Sequence, residues 1–463
     1  MTFHERELIE YVLDQRWYGA KSRSVAHAQV LDSVELRAAD PELGIALVEM
    51  RYDTGAHDIY QLLYAVRDGE LQIDGLGEPQ LARELVSAMR SGLTLQGTEG
   101  IAEFAPIEGC AGLGRELLDV RPVGTEQSNT SVVFDDEVIL KVFRRLEPGI
   151  NPDLEMLRFL TEHGFANIPP LGGWYAYSGG PLSATLGILQ QYVSGGLDGW
   201  ELALDEIGER SDAFLERLRR LGEVTGEMHT VLASDSTDPA FAPETPSVEA
   251  LGLLTATVDE EIERVFVDIP DDDERLEPIA GRGEEVREQL RLLTHAGTAG
   301  MTIRTHGDYH LGQTLWAGSR LEAPSAKATA LGLQGGDWVI IDFEGEPARS
   351  LTDRRRKRSP LRDVAGMLRS FAYAASAAEL LRDTQAPVGW EEQAREQFLD
   401  GYLATVEPSL LPSGQAAIDR LLAVFELEKA VYELRYELDN RPDWVGIPVA
   451  GIQRLIERAA ALQ

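Results

Sequence analysis

Apolar and polar residues alternate along 58–66, putting Tyr60, Leu62, Tyr64 and Val66 on one face, which predicts a strand with one buried side. Two similar stretches, 29–36 and 45–51, precede it, after a helical pattern over 5–15. A helix over 79–89 follows, stopped by Gly92, so 1–95 reads as an antiparallel sheet with helices. A second run of strands is expected over 117–120, 131–134, 138–143 and 186–193, with Asp135-Asp136 as a hairpin turn. Between them Asn151-Pro152 opens a helix with Leu154, Leu157 and Leu160 as its buried stripe, and Gly164 ends it. Gly195-Gly196 marks a hinge, so 96–196 reads as a second segment and 197–463 as a third, mostly helical one. Its last long helix spans 416–439 and stops before Pro442.

Composition narrows the classes. A chain of 463 residues with 43% apolar positions can bury substantial cores. The first residues show no signal-peptide pattern, no apolar run reaches membrane-span length, and Cys110 is the only cysteine, so a cytoplasmic protein without internal disulfides is expected. A net charge of −35 argues against nucleic acid or an anionic membrane as partner.

The chemistry concentrates in Thr305-His306-Gly307-Asp308-Tyr309-His310-Leu311-Gly312-Gln313 and, after a small-residue insertion over 318–336, in Val339-Ile340-Ile341-Asp342-Phe343-Glu344. An acid five positions before an amide, then a second acid closing an apolar strand, is the arrangement of Mg²⁺-dependent phosphoryl transfer. The segment resembles the catalytic loop of protein kinases, with Gly for Arg, Gln for Asn, and Glu in place of the final Gly of the metal-binding motif. The His-Gly-Asp form is similar to the small-molecule branch of that fold, the aminoglycoside and choline kinase relatives.

Asp308 is the candidate base, positioning an acceptor hydroxyl and taking its proton, and His306 is grouped with it chiefly as scaffold. Gln313 and Asp342 are the candidate Mg²⁺ ligands. Glu344 joins them if its side chain shares a strand face with Asp342; otherwise it is an ordinary exposed Glu. Lys141, alone among apolar strand residues, is either a solvated edge charge or, with Glu155 on the following helix, a holder of ATP phosphates. The loop 124–130 offers Ser128 and Thr130 as phosphate contacts, though it could equally be a plain turn, and Gln190, Tyr192 and Val193 would face adenine through backbone groups. The run Asp353-Arg354-Arg355-Arg356-Lys357-Arg358 reads first as a solvated or salt-bridging strip, while Arg349 and Asp363 are better placed to brace the site.

On the last long helix, one face repeats Val424, Leu427, Val431, Leu434 and Leu438 as a buried stripe. Rotated from it lie Phe425, Lys429, Tyr432, Glu433 and Tyr436, then Arg441 and Trp444. Aromatic faces among charged hydrogen-bonding groups suit a sugar; amphipathic packing is the plainer alternative.

The chain resembles the actinobacterial-type maltokinases. The resemblance is carried by Gln15-Arg16-Trp17-Tyr18-Gly19-Ala20-Lys21, the two catalytic segments continuing through Gly345-Glu346-Pro347, Ser359-Pro360-Leu361-Arg362-Asp363-Val364-Ala365-Gly366-Met367, and Asn440-Arg441-Pro442-Asp443-Trp444-Val445. It implies an α+β, bilobal protein-kinase-like (aminoglycoside phosphotransferase-like) fold with an N-terminal antiparallel β-sheet plus helix cap. It also implies ATP- and Mg²⁺-dependent phosphorylation of maltose at its anomeric hydroxyl, giving maltose 1-phosphate for glycogen and α-glucan synthesis from trehalose. It assigns the base role to Asp308, metal roles to Gln313 and Asp342, and sugar contacts to Lys429, Tyr432, Glu433 and Arg441. A monomer is expected, with functional association to trehalose synthase, to which some relatives are fused. Two rivals stay open: a glucosamine or aminoglycoside kinase on the same scaffold, and an inactive sensor of nucleotide or sugar.

Overall fold

The computed structural model describes residues 3–73, 76, 79–107, 117–123, 129–208, 210–267, 269, 273–294, 300–318, 336–347 and 349–461. The chain divides into two compact units, 1–195 and 196–463.

The first unit holds two antiparallel sheets. Strands β1 (Val25–Arg37), β2 (Glu42–Tyr52), β3 (His57–Arg67) and β4 (Glu70–Ile73) open the chain. Then come β5 (Thr94–Gln96), β6 (Gly100–Pro106), β7 (Val120–Val123), β8 (Asn129–Phe134), β9 (Val138–Phe143), β10 (Arg145–Leu146), β11 (Leu171–Gly179) and β12 (Ser183–Gln191). One sheet runs β1-β2-β3-β10 with β4 also on β3, and the other runs β5-β6-β11-β12-β9-β8-β7. In the first, the opening helix Glu5–Asp14 buries Leu8 and Val12 against Ala46, Val48, Tyr60 and Leu62. Asp135 and Asp136 take φ of 49° and 54°, a left-handed pair that the short Asp side chain tolerates, and they turn β8 back onto β9. Strand β11 escapes the hydrophobic pattern because Gly172, Gly173 and Gly179 lie within or at the end of it, yet it pairs on both sides with β6 and β12.

A buried amide bridges the two sheets. Gln61 on β3 is fully buried; its Nε2 donates to the carbonyls of Phe143 (2.8 Å) and Leu186 (2.7 Å), and its Oε1 accepts from Tyr175 (2.9 Å). Leucine at position 61 would leave two carbonyls and a hydroxyl unpaired in a dry interior. We expect Gln61→Leu to cost about 2–4 kcal/mol, read as a lowered urea midpoint; an unchanged midpoint would mean these groups find water instead.

The second unit is helical around Gln415–Asn440, whose Val424, Leu427, Val431 and Leu434 pack into a core with Val258, Ile262, Leu290 and Ile452. The helices contributing are Val248–Val267, Gly283–Thr294 and Gly446–Ala461. Among the described residues its one sheet is small: β13 (Leu197–Asp198), β14 (Thr314–Ala317) and β15 (Asp337–Ile340), antiparallel in that order. Thr314 opposes Ile340, so the residues just before β14 and just after β15 leave the sheet at the same end. That register puts Gln313 beside Asp342. Most of the expected insertion, residues 319–335, lies outside the described residues, as do Cys110 and 124–128.

Candidate active site

The loop 305–313 is held from beneath by Asp363. That carboxylate, 2% exposed, accepts from the backbone N–H of His306 (2.8 Å) and Gly307 (3.0 Å) and pairs with His229 Nε2 (3.1 Å). Burial pushes the Asp363 carboxyl up, but the His229 bond, the His229 and His306 charges and the Gly307 N–H outweigh it and hold it below the usual range. Gly307 has φ of 86°, and a Cβ there would stand 3.3 Å from the Gly345 Cα, so glycine lets the two loops approach. His306 is buried and bonds through Nε2 to the Ile341 carbonyl (2.9 Å), while its Nδ1 faces the Asp308 N–H at 3.4 Å. It ties one candidate segment to the other. His310 Nδ1 accepts from the Gly312 N–H (3.1 Å), capping the short turn that leads into β14.

At the sheet end the Ile341 N–H donates to the Gln313 carbonyl (3.0 Å), and Gln313 Nε2 lies 3.1 Å from Asp342 Oδ2. Asp342 has φ of 64°, a left-handed conformation that ends strand pairing at Ile340. Asp342 and Glu344 lie beyond the strand and not on one strand face, yet the turn brings a carboxylate oxygen of each within 4.8 Å of the other; Glu344 is half-buried, and its carbonyl accepts from Arg354 (3.2 Å). An amide and a carboxylate converging at one point supply hard oxygen donors once the amide turns, a set that fits Mg²⁺.

Asp308 forms part of the wall of a cavity of about 310 Å³, with Glu346, Lys429, Tyr432 and Phe425 around it. Lys429 Nζ stands between two carboxylates, 3.6 Å from Asp308 and 3.5 Å from Glu346. Burial lowers its ammonium, yet Asp308, Glu346 and Glu433 more than compensate and hold its pKa above the ordinary value. Tyr432, 39% exposed, turns its ring face to Lys429 at 5.3 Å.

The other helix residues lie outside that cavity wall. Glu433 is buried against Arg369, accepting at 2.6 and 2.9 Å, and so braces the helix Leu361–Arg382. Arg441 is taken by Glu437 (2.7 and 2.9 Å) and stacks between Tyr436 and Trp444. Helical spacing placed these side chains on a polar face but carried no signal of partners elsewhere in the fold. Glu346 is the residue that the sequence reading did not single out, although it follows the second catalytic segment by only two positions.

In the first unit Lys141 on β9 pairs with Asp153 (3.0 Å) at the start of the helix Pro152–Glu162, where Glu155 is also buried. Asp153 was not foreseen, since an acid after Asn-Pro reads as an ordinary first-turn residue. Thr130 Oγ1 accepts from Arg144 (2.8 Å). Gln190 is paired in β12 with β9 and β11, the Tyr192 N–H donates to the Glu137 carbonyl (2.7 Å), and Val193 is buried after the strand. Ser128 lies outside the described residues.

Residues 11–92 match the maltokinase N-terminal cap domain, and residues 119–323 match the phosphotransferase enzyme family. The chain is thus similar to a maltokinase-type cap followed by a phosphotransferase-family domain. A glucosamine kinase from Streptacidiphilus jiangxiensis is 29% identical over 350 residues, 73% of each chain. Another, from Mycolicibacterium smegmatis, is 25% identical over 361 residues, 74% of this chain and 80% of that one. A solved glucosamine kinase in complex with glucosamine, ADP and inorganic phosphate superposes with a TM-score of 0.71 at 20% identity, covering 96% of this chain and 98% of the other. That likeness shows the fold: α+β and kinase-like, with an N-terminal sheet domain. No helix among the described residues is long and apolar enough to cross a membrane.

Proposed function

We infer that the protein is an ATP- and Mg²⁺-dependent sugar kinase, and that its acceptor is maltose, phosphorylated at the anomeric hydroxyl. The observation that carries the acceptor assignment is Lys429, which already occupies the gap between Asp308 and Glu346 with an ammonium. An amino sugar brought to Asp308 would meet that like charge and find both carboxylates engaged, whereas neutral hydroxyls can share Lys429 and the carboxylates as donors and acceptors.

In this reading Asp308 orients the acceptor oxygen and receives its proton as the new O–P bond forms; positioning outweighs basicity because a sugar hydroxyl is a weak acid. Lys429 fixes the carboxylate's direction, Tyr432 offers a ring face to the sugar, and Asp363 keeps the loop rigid. Gln313 and Asp342, with Glu344 as a further candidate, would hold Mg²⁺, which neutralises phosphate charge. Lys141 would hold the ATP phosphates; Thr130 and the 190–193 strand end would complete the nucleotide site. Maltose 1-phosphate would then feed α-glucan synthesis from trehalose, and trehalose synthase is the partner this chemistry suggests, in the cytoplasm.

A second reading, glucosamine as acceptor, is favoured by the names of the curated relatives and by a net charge of −35, which attracts cations. An acceptor panel with ATP and Mg²⁺ separates them. Turnover of maltose well above glucosamine is expected; strong turnover of glucosamine with none of maltose would reject the acceptor assignment while keeping the kinase. Lys429→Met should then lower kcat/KM for the acceptor by on the order of 10²-fold, with nucleotide affinity unchanged. An equal loss of ADP affinity would argue that Lys429 serves the donor side.

A further inference from the structure

The basic run that reads in sequence as a solvated or salt-bridging strip does form ion pairs with Asp353 and Glu244, and it also lines a chamber beside the acceptor cavity. This chamber has a volume of about 340 Å³ and shares Arg349, Asp353, Arg358, Arg362, Phe425 and Glu428 with the cavity wall that holds Asp308. Five cationic side chains face it, Arg349, Arg356, Lys357, Arg358 and Arg362, against two carboxylates, Asp353 and Glu428. Such an excess is the reverse of the chain as a whole, whose net charge is −35.

Partners outside the chamber reduce that excess without removing it. Lys357 is held by Glu244 (2.5 Å), and Arg349 also bonds Glu346. Arg362 pairs with Glu428 and lies over the Phe425 ring at 5.2 Å. Asp353 is left to serve three arginines at once: Arg358 (3.0 Å), Arg349 (3.3 Å) and Arg356 (3.5 Å). Consistent with this shortage of negative charge, burial first and then the nearby Arg362 and Arg349 push the Arg358 guanidinium down to about 10.

A second, independent feature marks the same wall. Ser359 is only 8% exposed, lines the chamber, and among the described residues its Oγ has no hydrogen-bond partner. A buried hydroxyl left unpaired is costly and uncommon in folded proteins, and it is accounted for when a ligand completes it. An oxygen-rich anion answers both deficits, accepting from the shared guanidinium groups and, once the Ser359 side chain turns toward the chamber, from its hydroxyl.

We propose that this chamber is an oxyanion-binding subsite in which Arg358, Arg349 and Ser359 hold a phosphate or carboxylate group next to the acceptor cavity. The group comes either from a free inorganic anion or from a sugar that carries one. The assignment stands whichever sugar is the kinase's acceptor.

The test is calorimetric titration of the nucleotide-free, full-length protein with inorganic phosphate, with glucose 6-phosphate, and with glucose as the uncharged control. Saturable binding of at least one anion is expected, weakened at least tenfold by Arg358→Gln and several-fold by Ser359→Ala, and unchanged by the control Arg282→Gln, which lines neither cavity. Glucose 6-phosphate binding tenfold tighter than phosphate supports the sugar-borne source, and equal affinities support the free anion. Thermal melts check folding, and if Arg358→Gln does not fold, the smaller Ser359→Ala carries the result. Absence of saturable anion binding, or binding that the variants leave untouched, overturns the subsite.

Discussion

Asp308→Asn should lower kcat by about 10³-fold while nucleotide affinity stays near the wild-type value. The substitution keeps the side-chain volume and removes only the charge and the proton-accepting capacity. Asp308 is 24% exposed at its side chain, so little folding energy rests on it, and the loop beneath is fixed independently by Asp363. Lys429, released from one carboxylate, still has Glu346 at 3.5 Å, so the pocket wall should persist. Steady-state kinetics with the best acceptor from the panel, beside titration with ADP, separates loss of chemistry from loss of binding. Wild-type turnover in Asp308→Asn would end the base assignment. A wild-type protein that binds nucleotide and sugar but turns over no acceptor would favour the sensor reading instead.

The candidate loop was legible because its pattern is local: Asp308 and Gln313 are close in sequence, Asp342 follows a strand, and the β14–β15 register brings Gln313 and Asp342 together. The buried stripe of the last long helix was legible for the same reason, since Val424 to Leu434 repeat at helical spacing. What failed to show was pairing across distance. Nothing local to Glu433 reveals that Arg369, 64 positions earlier, buries its carboxylate. Periodicity likewise gave Arg441 an aromatic face but not its commitment to Glu437. The basic run 354–358 gave no hint of a chamber, because the residues completing that wall, Thr257, Phe425 and Glu428, come from helices far away in the chain. Strand β11 was missed for a conformational reason: glycine signals a turn in isolation, whereas here Gly173 makes room for the Ala105 carbonyl of the neighbouring strand, 2.8 Å from where a Cβ would sit.

Asp363→Ala should destabilise the second unit by about 3–5 kcal/mol and abolish activity, although no chemical step is assigned to Asp363. Alanine would leave the His306 and Gly307 N–H groups and His229 Nε2 without their buried acceptor, and the loop carrying Asp308 would lose the carboxylate that holds it at His306 and Gly307. Asp363→Asn separates charge from shape: one amide oxygen can still accept from a backbone N–H, so a smaller loss of stability with a large fall in kcat is expected. The pH dependence supplies a sharper check. Because the folded-state pKa of Asp363 is lowered, its contribution is complete above the unfolded carboxylate value and disappears as pH falls through the folded one. Wild-type stability should therefore drop more steeply than that of Asp363→Asn below about pH 4, where an unfolded carboxyl takes up its proton first. Urea unfolding at a series of acid pH values measures both slopes. Parallel slopes would show that Asp363 is not held as a carboxylate by His229 and the loop, and the account of how this fold aims Asp308 would have to be rebuilt on another anchor.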